Sequence, residues 1–170
     1  MRRASVAFCS LALAATVFVP AVVAATPAES DPLRGVVNIE IGGTGTCPAP
    51  PVSVPEPGFC WLGRIEGDVD GTVAFWETEA NYVVGKAEHF FEVFLVLPDS
   101  GGSFSGTDDG LWNFSTFKFR SQGWVTAASE EWESLVGYKF FEMGRTSNPD
   151  LGLPITADDV QVLMAKAKGG

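Results

Sequence analysis

Histidine is almost absent from this chain of 170 residues, where His89 stands alone. A single imidazole cannot supply the nitrogen-rich ligand sets of most zinc or copper centres. Cysteine is nearly as scarce, with three in the whole sequence. Cys9 lies within an apolar N-terminal run, so only Cys47 and Cys60 remain, too few for a cysteine-based metal site. No metal and no cofactor are expected. Basic residues are also few: 11 Lys and Arg face 21 Asp and Glu, a net charge of −10. That balance argues against a nucleic-acid partner and against electrostatic attachment to anionic membranes. Beyond the first 25 residues no apolar run approaches the length of a membrane-spanning helix.

What the sequence does have begins with Arg2-Arg3, an apolar stretch from Val6 to Val23, and small residues at Ala24-Ala25. Residues 1–25 are therefore expected to be a secretory signal peptide, the alternative being an uncleaved anchor. The expected location is secreted or periplasmic, with no membrane span after signal cleavage. In that setting Cys47 and Cys60 read as one disulfide. The enclosed loop carries Pro48, Pro50, Pro51, Pro55 and Pro57. Closing a ring of this size contributes about 3 kcal/mol, less where prolines already stiffen the unfolded loop. The remaining layout is an N-terminal strand plus Pro-rich disulfide loop over 26–60, a core over 61–144, and a C-terminal strand or tail over 145–170.

The pattern Gly-x-apolar-x-Gly-x-x-Asp-Gly occurs twice, at Gly63–Gly71 and Gly102–Gly110. Each copy ends in Asp-Gly, which predicts a tight hairpin turn, and each precedes an aromatic and β-branched run. Expected strands are Val36–Ile41, Trp61–Asp68, Thr72–Thr78 and Tyr82–Leu97, the last one divisible near Gly85. Further strands are expected over Leu111–Ser121, a Gln122-Gly123 turn, Trp124–Ala128 and Val136–Met143. Ser129 followed by Glu130 and Glu131 predicts a capped helical turn over 130–135. Seven or eight short strands with tight turns indicate an antiparallel barrel or sandwich, and glycines at strand starts favour closure. The fold class is all-β, a single antiparallel eight-stranded β-barrel.

Residues 61–144 resemble the allene oxide cyclase and dirigent-like barrel group. The segments carrying the resemblance are Gly63–Gly71, Gly85–Phe94, Gly102–Asn113, Phe119–Thr126 and Trp132–Tyr138. The resemblance lies in glycines, turns and apolar positions, so it implies a fold more than a reaction. The group includes cyclases and proteins that steer the coupling of phenolic radicals. Their catalytic residues do not map onto particular positions of this chain.

Among chemistry-bearing residues, Glu66-x-Asp68-x-Asp70-Gly71 with Glu77 has the spacing of a calcium loop. That loop needs flanking helices, and strands flank it here; a turn accounts for both copies of the repeat and calcium for only one. In His89–Leu97, His89 points with Phe91, Val93 and Leu95, while Glu92 points with Phe90, Phe94 and Val96. One of the two must face apolar surroundings, which suits a general acid or base. The catalytic candidates are Glu92 and Asn113; Glu77, Asn81, Tyr82, Lys118, Arg120 and Glu142 are further polar candidates. Taken as one strand, 111–121 places Leu111, Asn113, Ser115, Phe117 and Phe119 on a lumen-like face. Phe91, Phe94, Trp112, Phe117, Phe119 and Tyr138 are the candidate ligand-binding residues. Lys118 and Arg120 are open to an anionic headgroup.

Thirteen phenylalanines and five tryptophans would give a barrel an aromatic interior suited to an apolar guest. Three functions are in view. The first is binding of a small hydrophobic organic molecule in the lumen. The second is a cofactor-free cyclase or isomerase on the same scaffold, with Glu92 or Asn113 stabilising developing charge. The third is a surface or interaction protein with a filled barrel. Exposed aromatic faces leave a homodimer or homotrimer open.

Overall fold

A computed structural model describes residues 32–42, 47–81, 87–148 and 155–166. The expected signal peptide, Tyr82 and Gly85 lie outside them. Eight strands run in chain order: β1 (Leu33–Gly42), β2 (Cys60–Gly67), β3 (Gly71–Asn81), β4 (Ala87–Pro98), β5 (Phe104–Asn113), β6 (Lys118–Ala128), β7 (Tyr138–Arg145) and β8 (Thr156–Lys166). Each pairs antiparallel with the next, and β8 returns to β1, so the barrel is closed. Closure leaves no free sheet edge. The barrel therefore extends past 61–144 at both ends, and the C-terminal segment contributes a strand, Thr156–Lys166.

The turns are where expectation and structure part. The first Asp-Gly does follow a turn: Asp70 Oδ1 accepts from the Gly67 amide at 3.0 Å, and Asp68 Oδ2 accepts from the Arg34 amide at 2.8 Å. These two carboxylates of the calcium-like pattern are occupied in holding backbone. The second Asp-Gly is no turn, because Asp109 and Gly110 lie inside β5. Gln122-Gly123 likewise lies inside β6. The real reversal is at 114–117, where Asn113 Oδ1 accepts the Ser115 and Thr116 amides, both at 3.0 Å. An Asx turn won over the glycine signals because both glycines are needed for close approach inside strands, Gly110 to the Phe90 ring and Gly123 to the Thr107 carbonyl and Asp108. The short 3-10 helix Glu130–Leu135 is present, but the Ser129 hydroxyl does not cap it and accepts from the Ser103 amide instead.

Alternation along each strand divides the lumen from the outer face. In the half nearer the 3-10 helix, Phe94 and Phe140 stack with ring centres 4.3 Å apart, and Phe75 leans on both. Val37, Ile65, Val96, Val125 and Val160 complete this packed plug. Leu135 and Trp132 seal its end, with Trp132 Nε1 donating to the Gly101 carbonyl at 3.0 Å. A second cluster lies outside the barrel: Val54 and Cys60, from the Pro-rich loop and its junction with β2, cover Ala74, Trp76 and Val93. Cys47 and Cys60 are disulfide-bonded. Cys47→Ala is expected to lower stability by about 2–3 kcal/mol, measured by thermal melting, with the barrel retained. Complete unfolding at room temperature would show the bridge to be part of the barrel's core support. Among the described residues, no helix is long and apolar enough to cross a membrane.

Candidate lumen site

Opposite the plug, the lumen is not filled. A cavity of about 130 Å³ opens there, walled by Trp61 of β2, Phe75 of β3, Phe90 of β4, Trp112 of β5 and Phe119 of β6. Ile39 and Ala157 close the β1 and β8 side, and Thr146 stands at its edge. On β5 glycine stands across from phenylalanine, Gly110 from Phe90 at the cavity and Gly106 from Phe94 in the plug. A methyl group at Gly110 would come within 2.3 Å of the Phe90 ring. The phenylalanines of β4 thus lie over a neighbouring strand that lacks side chains at those points.

The polar side chains of this region form an acidic belt. Glu77, Glu92 and Asp108 are cross-strand neighbours on β3, β4 and β5. Glu142 stands on β7 opposite Ser121 of β6. Glu92, Asp108, Ser121 and Glu142 are all buried. The Ser121 hydroxyl donates to Asp108 Oδ2 at 2.8 Å and so bridges the belt across β6. Asp108 Oδ1 and Glu142 Oε2 are buried without a hydrogen-bond partner, as is Trp112 Nε1 at the cavity wall.

Burial dominates the chemistry of these acids. Loss of hydration pushes the Glu92 carboxyl well above the usual carboxylate range, and the negative charge of Asp108, Glu142 and Glu77 adds to it. Glu142 is raised well above that range by burial and by Asp108. Asp108 is pushed up to about 7 by burial, against the opposing hydrogen bond from Ser121. A carboxyl raised in this way keeps its proton to higher pH than a surface acid and can donate a hydrogen bond or a proton.

The chain matches no protein-family model, no curated protein and no solved structure. The site's geometry therefore carries its chemical reading.

Of the sequence candidates, the barrel brings Glu92, Trp112 and Phe119 together at the cavity. Phe94 and Tyr138 point inward too, but into the packed half, where they fill space. Asn113 is exposed on the outer side, its side-chain oxygen spent on the β5–β6 turn. Phe117 sits in that turn with φ of 57°. Phe91 points outward and is exposed, its ring against His89 at 4.7 Å. Asn113, Phe117 and Phe91 therefore stand outside the cavity. Asn113 shares the outward face of β5 with Leu111, Phe91 the outward face of β4 with His89, and Phe117 falls in the turn that ends the alternation taken over 111–121.

His89 lies 3.8 Å from Asp109 on the outer face. Lys118 and Arg120 are likewise outward and exposed. Trp61, Phe75, Phe90 and Asp108 were not singled out from sequence. The alternation of Phe90, Glu92 and Phe94 was a usable signal, as was that of Gly106, Asp108 and Gly110.

Proposed function

We propose that this is a secreted barrel that binds a small, largely hydrophobic organic molecule in the open half of its lumen. The supporting observation is the aromatic cavity beside a packed plug, one half of the interior left unfilled. An engineered apolar cavity of about 150 Å³ accommodates benzene, so the guest is of single-ring size or places one such end inside. The disulfide suits an oxidising compartment outside the cytoplasm. The resemblance of residues 61–144 to allene oxide cyclase and dirigent-like barrels favours the same placement of a ligand.

Native mass spectrometry of protein from its own source is expected to show a co-purified small molecule. Added toluene is expected to change tryptophan fluorescence saturably, because Trp61 and Trp112 line the wall. Neither a bound mass nor a saturable response would leave the lumen without a binding role.

The buried Glu92 favours a second reading, a cofactor-free cyclase or isomerase. There the neutral carboxyl gives its proton to one atom of the bound substrate as ring closure or migration begins, and the resulting carboxylate takes a proton back from another as the product forms, the aromatic walls holding one conformer. Glu92→Gln keeps the shape and removes the proton. With the co-purified molecule as substrate, its turnover is expected to fall about 10²-fold or more while binding persists. Unchanged turnover in Glu92→Gln would remove Glu92 from that role.

A further inference from the structure

The charged side chains around the cavity are all of one sign. Glu77, Glu92 and Glu142 line it, and no lysine, arginine or histidine does among the described residues. Going round the cavity, β1 offers Ile39, β2 Trp61 and β8 Ala157. β3, β4, β5 and β7 offer Glu77, Glu92, Asp108 and Glu142, and β6 the Ser121 hydroxyl. Glu142 is only 4% exposed, lines the cavity, and keeps one carboxyl oxygen without a partner.

We propose that the guest is an organic cation, an amine or quaternary ammonium with a small apolar body, its charge held by Glu142, Glu92 and Glu77 and its carbons by Trp61, Trp112 and Phe75. This rests on the lumen being the binding site. Aromatic faces attract cations through the negative face of the ring, most strongly where water is excluded. A purely apolar guest would leave the orphaned Glu142 oxygen buried and unsatisfied, and an anion would meet only acids and ring faces. A cation meets both halves of the cavity with favourable partners.

Proton linkage follows from the same geometry. Burial keeps the Glu92 and Glu142 carboxyls protonated above the usual carboxylate range. Pairing with a permanent cation ionises one of them, and its proton leaves for solvent. Affinity for the cation therefore rises with pH until those carboxyls are ionised in the empty protein.

The test compares choline with its neutral carbon isostere, 3,3-dimethylbutan-1-ol, by calorimetry on the mature protein in buffers of different ionisation enthalpy. Choline is expected to bind about tenfold tighter or better. It should release protons on binding, and fewer as the pH is raised. Glu142→Gln, which mimics the protonated side chain and is checked for fold by circular dichroism, is expected to erase most of that preference. Choline preferred over its isostere, with most of the preference lost in Glu142→Gln, supports the assignment whether or not toluene binds. Equal binding of the two, or a preference unaltered in Glu142→Gln, overturns the cation while toluene binding keeps the lumen as a site. No binding of choline, isostere or toluene overturns both.

Discussion

Raising the pH from 5 to 8 is expected to destabilise the barrel by several kcal/mol. Glu92, Asp108 and Glu142 all have their carboxyls raised in the folded state, by burial first of all. Between the ordinary carboxylate range and the raised value, the folded chain holds more protons than the unfolded chain. Stability falls with pH wherever the folded state is the more protonated. Asp108, pushed up to about 7, contributes about 2–3 kcal/mol of that loss between pH 5 and pH 8. Glu92 and Glu142 add in the same direction.

Urea midpoints at pH 5, 6.5 and 8 read the effect directly. Glu142→Gln should leave the midpoint at pH 5 nearly unchanged and raise it at pH 8 by an amount equivalent to about 2 kcal/mol, because no buried charge has to form. Net negative charge also disfavours the compact state as pH rises, but salt screens surface repulsion far more than it relieves burial. A slope that survives high salt and flattens in Glu142→Gln identifies the belt. A midpoint that rises toward pH 8 would mean that these acids are hydrated or paired in the folded protein.

That belt also shows what the sequence made legible. Period-2 alternation holds wherever a strand is unbroken, so Phe90, Glu92, Phe94 and Val96 were correctly grouped on one face of β4. The choice between His89 and Glu92 for the lumen needed the barrel's handedness and register, which alternation alone does not contain. Glycine density pointed to curvature and closure, and the barrel is closed. The same glycines misplaced the turns, because Asp-Gly and Gln-Gly mark hairpins only when no neighbouring ring or strand claims the vacant Cβ position. In β5 and β6 a neighbour does. Asn113 carried a turn signal of its own, since Asx side chains fold back on the next amides, but it sits within an aromatic run that reads as one strand over 111–121. Asp108 escaped notice because a carboxylate between two glycines on a strand resembles a loop residue until Phe90 and Phe94 are seen to lie over those glycines.

Gly106→Ala is expected to be among the most destabilising single-methyl additions in the chain. The new Cβ would sit 1.9 Å from the Trp124 carbonyl oxygen and 2.6 Å from the Phe94 ring. A carbonyl in the β5–β6 ladder cannot retreat without moving a strand, so the loss is expected to be about 3 kcal/mol or more. That corresponds to a fall of roughly 10 °C in Tm for a domain of this size. Gly110→Ala provides the comparison. Its nearest neighbours are the far end of the Phe90 ring, at 2.3 Å, and the Arg120 carbonyl, at 2.8 Å. Shortening the ring should relieve most of that clash, so Phe90→Leu is expected to recover stability in the Gly110→Ala background. Phe94→Leu is expected to recover little in the Gly106→Ala background, because the carbonyl remains. Double-mutant cycles separate the two cases. Full rescue of Gly106→Ala by Phe94→Leu would mean that the ring sets the strand spacing there, and that the backbone of β6 has freedom to yield.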